Sequence, residues 1–378
     1  MKKEGINLLK SLIRSRKKRI KGDIFIPLTA VSVAAFGLLM IYSASYYSAG
    51  ITYGDKFFFV KKQAVGFLLG IAGMIAVNLF DYNFLRKLGY PLIIIAALLL
   101  VLVLTPLGVE NYGAKRWIGI GSLTVQPSEL AKFCFAVFAA GYFSADPSRA
   151  SRFTGILPVL LSGGAICFLI MIEPNMSITV CVGALMLAML FAAGAKPLHI
   201  LIVIIPVIIA LPLLIVSEPY RLKRLLAFIN PWNSPKGEGY QLLQSLYALG
   251  SGGWFGTGLF GSRQKFRFLP FAESDFILSV IGEETGYLGL LALLGALLFL
   301  GYRGFKAALR CKNLFGFLLA AGITFVFIVQ VIVNALVVTG SIPPTGLPLP
   351  LISMGNTSLI VFMTAFGLLY NISKDGEN

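Results

Sequence analysis

The sequence is short of charge, of acid and of histidine. Only 13% of its 378 residues are Asp, Glu, Lys or Arg, about half the roughly 25% usual in soluble domains. That shortage argues against a water-soluble enzyme. The single histidine, His199, excludes a His-rich metal cluster. The four cysteines (Cys134, Cys167, Cys181 and Cys311) have no paired spacing, and three lie inside apolar runs. Neither a disulfide framework nor a zinc site is indicated. Sixteen acidic residues face 32 Lys and Arg, a net charge of +16. Such an excess can mark a nucleic-acid binder, but here the basic residues fall between long apolar runs instead of forming a surface stripe, which argues for no nucleic acid.

What the chain has in abundance is apolar length. It is 57% hydrophobic, with a mean hydropathy of +0.85. A hydrocarbon core about 30 Å thick needs roughly 20 mostly apolar residues per helix. Ten segments qualify: 24–46, 60–80, 88–105, 128–144, 154–173, 176–194, 198–216, 275–302, 313–339 and 354–373. The second, fourth and eighth are interrupted by Lys61, Lys62, Lys132, Glu283 and Glu284. The pattern predicts an all-α polytopic membrane protein of about ten transmembrane helices.

A basic run, Arg14, Arg16, Lys17, Lys18, Arg19 and Lys21, precedes the first span. That span is too long for a signal-peptide core, which has 7–15 residues, so it reads as an uncleaved anchor. The positive-inside rule puts the run in the cytoplasm, where anionic headgroups attract it. By alternation Arg86–Lys87, Arg149 with Arg152, Lys196, and Arg303 to Lys312 are also cytoplasmic, as are both termini. The expected organisation is a basic N-terminal segment at 1–23, a single membrane domain at 24–373 and a short tail at 374–378. The basic segment 217–274 falls outside as a large extracytoplasmic loop between helices 7 and 8. Long loops follow the charge rule poorly, so its charge asks for a functional explanation.

Three extracytoplasmic connections carry the candidate chemistry. The first, 106–127, contains Asn111-Tyr-Gly-Ala-Lys-Arg-Trp117 and leads into Gln126-Pro-Ser-Glu-Leu-Ala-Lys132. Pro127 suits a first helical turn. Glu129 and Lys132 lie three apart on one helix face in or near the membrane, where ionisable groups seek a partner or an aqueous cavity. They form either a structural ion pair or part of a cavity wall. The second connection, 217–274, offers Arg221, Lys223, Arg224, Arg263 and Lys265 among glycine-rich stretches, a combination suited to a pyrophosphate or another polyanion. Gly256-Thr-Gly-Leu-Phe-Gly261 in the same loop is formally a GxGxxG, but it lacks the flanking strand and helix of a dinucleotide site.

Asp275 opens the eighth span, with Ser279, Gly282 and Gly286 within about 40° of it on a helical projection. This small polar face admits another helix or a ligand. Glu283 borders the face, whereas Glu284 points away and is expected to pair elsewhere. With His199 at a cytoplasmic edge, an external general base must be a carboxylate, and Asp275 is the candidate. The third connection, Gly340-Ser-Ile-Pro-Pro-Thr-Gly-Leu-Pro-Leu-Pro350, breaks helical structure and reads as a re-entrant loop that protein or a water-filled cavity must bury.

Taken in order, these motifs resemble those of the SEDS family (shape, elongation, division and sporulation), which includes RodA, FtsW and SpoVE. The resemblance covers about residues 24–373. It rests on Gly113-Ala-Lys-Arg-Trp117, Gln126-Pro-Ser-Glu-Leu-Ala-Lys132, Gly239-Tyr-Gln241, Gly250-Ser-Gly-Gly253, Ser274-Asp-Phe276, Gly282-Glu-Glu284 and Pro343-Pro-Thr-Gly-Leu-Pro-Leu-Pro350. Ser262-Arg-Gln-Lys265 looks closer to the FtsW/SpoVE branch. The resemblance implies a ten-helix peptidoglycan glycosyltransferase in the bacterial plasma membrane, its active site facing outside, that polymerises lipid II and releases undecaprenyl pyrophosphate. The family's essential acid falls on Asp275. Lys115, Arg116, Trp117, Glu129, Lys132 and Glu283 would line the cavity, with Arg221, Arg224, Arg263 and Lys265 as looser phosphate ligands. A divalent cation, Mg2+ or Mn2+, would be the cofactor, with Asp275 as its candidate ligand. A class B penicillin-binding protein, a transpeptidase, would be the partner. A lipid II flippase and a noncatalytic scaffold are the alternative readings.

The chain departs from the family pattern at Glu173-Pro-Asn175 (usually Gln-Pro-Asp), at Pro270-Phe271 (usually Pro-Glu), at Glu273-Ser-Asp275 (usually His-Thr-Asp) and at Ser353-Met-Gly-Asn356 (usually Ser-Tyr-Gly-Gly). These departures keep open a divergent paralogue with reduced activity or an altered substrate.

Overall fold

The computed structural model describes residues 22–111, 114–120, 123–216 and 219–377; the basic run before the first span lies outside them. Helices α1 (Phe25–Tyr53), α2 (Phe58–Ala76) and α3 (Phe84–Leu104) lead into strands β1 (Gly108–Asn111), β2 (Ala114–Ile120) and β3 (Leu123–Val125). Helices α4 (Pro127–Ala145), α5 (Phe153–Ile172), α6 (Met176–Ala192) and α7 (Pro197–Val216) follow. Two shorter helices, α8 (Pro219–Ile229) and α9 (Tyr240–Gly252), precede α10 (Ile277–Arg310), α11 (Leu314–Val338) and α12 (Asn356–Ser373).

Each of the ten apolar segments falls on one helix. Seven of them (α1, α2, α3, α5, α10, α11 and α12) are long and apolar enough on their own to cross a membrane, and the chain is a multi-pass membrane protein. The all-helical bundle is as expected, and two of its connections carry structure of their own. The connection 106–127 holds an antiparallel three-stranded sheet in the order β1-β2-β3, and the loop 217–274 contains α8 and α9. Both escape a search for spans of roughly 20 residues, since strands of three to seven residues and helices of 11 and 13 are too short to register. In α8, Leu222, Leu225, Leu226 and Ile229 still recur at helical spacing between the basic residues.

The helices α11 and α12 form the centre and are mostly buried, whereas α2, α3 and α5 turn most of their apolar surface outward. Close approach there depends on small residues, as is usual where lipid removes any hydrophobic drive between helices. A Cβ added at Gly367 of α12 would sit 2.6 Å from the Met74 carbonyl oxygen of α2.

Helix α10 is two helices joined at Gly286, whose φ of 69° and ψ of −171° suit glycine alone. The break frees the carbonyls of Glu283 and Glu284 and the amides of Tyr287 and Leu288, and the glycine-rich segment after α9 takes their place. Thr257 N and Gly258 N donate to the two carbonyls at 2.9 and 3.0 Å, and Tyr287 N and Leu288 N donate to the Gly253 and Trp254 carbonyls at 2.9 and 3.2 Å. The formal GxGxxG therefore patches a broken membrane helix, satisfying backbone groups that lipid cannot.

Candidate active site

Asp275 lies two residues ahead of α10, and its backbone is held from the C-terminal part of the chain. Three consecutive carbonyls accept hydrogen bonds: Glu273 from Met354 N (2.9 Å), Ser274 from Ser353 Oγ (2.6 Å) and Asp275 from Asn334 Nδ2 (2.9 Å). Asn334 also donates to the Leu347 carbonyl at 2.8 Å, so one amide on α11 ties the approach to α10 to the proline-rich segment. That segment is non-helical from Pro343 to Leu349, and a Cβ at Gly346 would stand 3.4 Å from Asp275 Oδ2. The glycine lets the backbone pass directly beside the carboxylate.

The carboxyl of Asp275 is half-buried. Burial raises its pKa to about 6, while the positive charges of Arg224 and Arg116 pull it down. Arg116 reaches this end from β2. Side chains alternate along a strand, so Lys115 and Trp117 lie on the face opposite Arg116, and Lys115 stands exposed across from Glu110. Arg116 Nε donates to the Glu173 carbonyl at 3.2 Å, and its Nη2 donates to that of Pro174. Ser177, the second residue of α6, donates to the Thr345 carbonyl. The α5–α6 junction is thus joined both to Arg116 and to the segment beside Asp275.

The junction carries the departure Glu173-Pro174-Asn175, and both changes conserve the local chemistry. Glu173 is 1% exposed, neither carboxyl oxygen has a hydrogen-bond partner among the described residues, and burial pushes its pKa up to about 8 against the pull of Arg116. A protonated glutamic acid is close in size and polarity to the glutamine it replaces. Asn175 Oδ1 accepts from Ile178 N at 3.4 Å, the helix-capping role that aspartate performs equally well.

One turn along α11 from Asn334, Gln330 Oε1 accepts from Lys132 Nζ at 3.0 Å. Lys132 also pairs with Glu129 at 2.9 Å, and both side chains are buried. Because residues i and i+4 share a helix face, the same edge of α11 holds the Glu129–Lys132 pair and the Asp275 backbone. Glu283 and Glu284 serve the loop instead. Glu283 accepts from Ser262 Oγ, from Arg263 N (2.9 Å) and from Gln264 N (3.3 Å). Glu284 pairs with buried Lys265 at 2.9 Å and accepts from Ser43 Oγ (2.6 Å) and Phe260 N (3.0 Å). The small face of α10 receives a helix: Ser279 Oγ meets Ser245 Oγ of α9 at 2.7 Å, and a Cβ at Gly252 of α9 would strike the Gly282 carbonyl at 2.1 Å.

The structure therefore joins Asp275, Arg116 and Arg224 electrostatically and sets Glu129 and Lys132 one helical turn away. Glu283 and Lys265 brace the loop, and the Arg263 side chain is exposed. The side chain of Arg221 lies outside the described residues. Sequence reasoning missed Gln330, Ser43, Ser177 and Gln63, whose Nε2 donates to the Ser353 carbonyl at 3.2 Å. Each is a polar side chain inside or at the edge of an apolar span, and that isolation was the available signal. Among the described residues no three His, Cys, Asp or Glu side chains assemble a metal site. A single carboxylate such as that of Asp275 suits a hard divalent cation only where oxygen ligands from another molecule complete the shell.

Fold and site together define a multi-pass helical membrane protein with a half-buried carboxylate, flanked by arginines, at one end of its bundle. Residues 24–378 match the FtsW/RodA/SpoVE family model, described as cell cycle protein, and the chain belongs to that family. It is 37% identical over 367 residues to a probable peptidoglycan glycosyltransferase FtsW of Trichlorobacter lovleyi, covering 96% of each chain. It is equally 37% identical over 360 residues to stage V sporulation protein E of Bacillus subtilis, covering 94% of this chain and 98% of that one. The solved structure of rod shape determining protein RodA from Thermus thermophilus superposes with a TM-score of 0.71 at 28% identity, covering 95% of this chain and 99% of that one. A chain from a peptidoglycan synthase complex that coordinates polymerization and crosslinking superposes with a TM-score of 0.77 at 27% identity, covering 94% and 98%.

Proposed function

We propose that this protein is a peptidoglycan glycosyltransferase that polymerises lipid II at the outer face of the bacterial plasma membrane. The observation that carries the reading is the Asp275 carboxyl, its backbone fixed on three carbonyls and its charge balanced between burial and two arginines. With ten spans and cytoplasmic termini, this end of the bundle faces outside, where the lipid-linked disaccharide is presented.

In the reaction, Asp275 accepts the proton of the acceptor's 4-hydroxyl as that oxygen attacks the anomeric carbon of the growing chain. The bond from that carbon to the pyrophosphate oxygen breaks, undecaprenyl pyrophosphate leaves, and Asp275 passes the proton to water. A carboxyl with a pKa near 6 is deprotonated at neutral pH yet basic enough to share a proton in the transition state. Arg116 and Arg224 stabilise the charge that develops on the leaving pyrophosphate, where a partly buried site strengthens such interactions. A divalent cation bound with the substrate at Asp275 would neutralise further pyrophosphate charge. A class B penicillin-binding protein is the proposed partner, crosslinking the strands as they emerge.

The test uses protein purified with its cognate transpeptidase, supplied with lipid II and Mg2+ or Mn2+, and glycan polymer resolved on a gel. Wild type is expected to make polymer and Asp275→Asn to lose about 10²- to 10⁴-fold, the range for removing a general base, without loss of folding. Equal polymer from both removes Asp275 as the base. Polymer from neither, with folded and partnered protein, moves the function to lipid II flipping or scaffolding.

A further inference from the structure

At the end of the bundle away from Asp275, a cavity of about 620 Å³ opens where the start of α3 meets the end of α4. Helix α4 spans 19 residues, roughly 28 Å at 1.5 Å per residue, with Glu129 and Lys132 near its start and the cavity residues Phe138 and Tyr142 toward its end. Three cations line the cavity, Arg86, Lys87 and Arg149, together with Tyr90, Phe138 and Tyr142. Arg149 stacks 4.5 Å over the Tyr142 ring and lies 3.5 Å from Asp146. Arg86 donates to the Ser144 carbonyl at 3.2 Å. Neither Arg86 nor Lys87 has an acidic partner within salt-bridge distance among the described residues. The positive-inside rule accounts for cations at this end but not for a cavity among them.

We propose that this cavity binds the phosphate headgroup of an anionic phospholipid from the inner leaflet. Basic pockets between membrane helices on the cytoplasmic side suit such headgroups, and arginine forks suit phosphate oxygens. A second observation separates a lipid from a free phosphate. Tyr90, Ile94 and Leu98 of α3 are 57%, 57% and 63% exposed and recur every four residues. They form an apolar stripe that leads from the cavity along the helix toward the bilayer centre, which is the path of an acyl chain. The inner-leaflet assignment rests on the orientation proposed above. Lipid binding is measured without glycosyl transfer, so the two readings fail separately.

The probe is dioleoyl phosphatidylglycerol titrated onto the detergent-purified full chain and followed by native mass spectrometry, with dioleoyl phosphatidylcholine as the neutral comparison. Wild type is expected to retain phosphatidylglycerol preferentially. The double variant Arg86→Gln/Arg149→Gln should retain it about 10- to 30-fold less tightly, as removal of two headgroup cations predicts, and Lys196→Gln, outside the cavity, should match wild type. Equal retention by the double variant and wild type overturns the proposal. So does displacement of the lipid by an equal concentration of glycerol phosphate, which would mark a soluble-anion site. Should the double variant not fold, a photoactivatable phosphatidylglycerol on wild type decides. Labelling within 83–90 and 138–149 supports the site, and labelling elsewhere overturns it.

Discussion

The two ends of the bundle treat charge and backbone in opposite ways. Around Asp275, Lys132, Lys265, Glu129, Glu173, Glu283 and Glu284 are all buried to 1% exposure or less, and most of them are tied into hydrogen-bonded clusters. At the other end Arg86, Lys87 and Arg310 are exposed, and the buried polar contacts are isolated, partly buried pairs such as Arg303 with Asp23 and Tyr82 with Asp375. Backbone strain divides the same way. Among the described residues, the five non-glycine residues with positive φ (Pro174, Phe260, Arg267, Phe271 and Leu351) all lie in the connections at the Asp275 end. Buried charge and strained backbone cost stability and persist where surrounding structure holds them. Their concentration at one end coincides with the proposed active site, and the other end carries the proposed lipid site.

The sharpest way to break this contrast is to remove one member of a buried pair. Lys132→Met leaves Glu129 uncompensated and is expected to cost about 3–5 kcal/mol, read as a large fall in thermal unfolding temperature in detergent. Glu129→Gln added to Lys132→Met should recover most of that loss, since the stranded charge is gone. Arg310→Met at the opposite end should stay within about 0.5 kcal/mol of wild type. Comparable losses at both ends would dissolve the distinction.

Next in size is Gly286→Ala. The added Cβ would fall 2.3 Å from Gly256 N and 2.6 Å from the Trp254 carbonyl, in a backbone region only glycine occupies readily, with about 1–3 kcal/mol of strain. The expected result is weaker attachment of the segment after α9, seen as faster amide exchange at Thr257 and Gly258 together with reduced polymerisation. Unchanged exchange would show that the helix break does not depend on this splice.

How much of this was readable in the sequence follows from length scale. The ten apolar segments each locate a helix because about 20 residues of hydrocarbon leave a signal that no local detail obscures. Asp275 stood out as an acid at the mouth of a small polar face. The placement of Arg116, and not Lys115 or Trp117, toward Asp275 is not readable, because it depends on a seven-residue strand whose alternation selects one side chain of three. The projection of Glu283 onto the Asp275 face takes Asp275 as helical, whereas α10 begins only at Ile277. The nearby break at Gly286 instead brings the loop over it, and no helical projection contains that loop. The unusual Glu173 looked like an exchange of acid for amide, and only its burial shows how an acid can stand in for glutamine.

The smallest predicted effect concerns that residue. With a pKa near 8, Glu173 is mainly protonated at neutral pH, so Glu173→Gln should polymerise like wild type up to about pH 7. The variants should diverge above pH 8, where wild type acquires a charge beside Arg116 and the amide does not. A large loss for Glu173→Gln at pH 7 would mean that the native group acts as a carboxylate.

The most direct test of the account is the pH dependence of polymerisation under single-turnover conditions from pH 5 to 8, compared with Arg224→Gln. The base must be deprotonated to act, so the wild-type rate should rise about tenfold per pH unit below 6 and level off above it, following the Asp275 pKa of about 6. Loss of Arg224 removes a charge that favours the carboxylate and should move the rise to higher pH. A wild-type rate flat from pH 5 to 7, or an unshifted profile in Arg224→Gln, would contradict the assignment of Asp275 as the base held by its arginine neighbours.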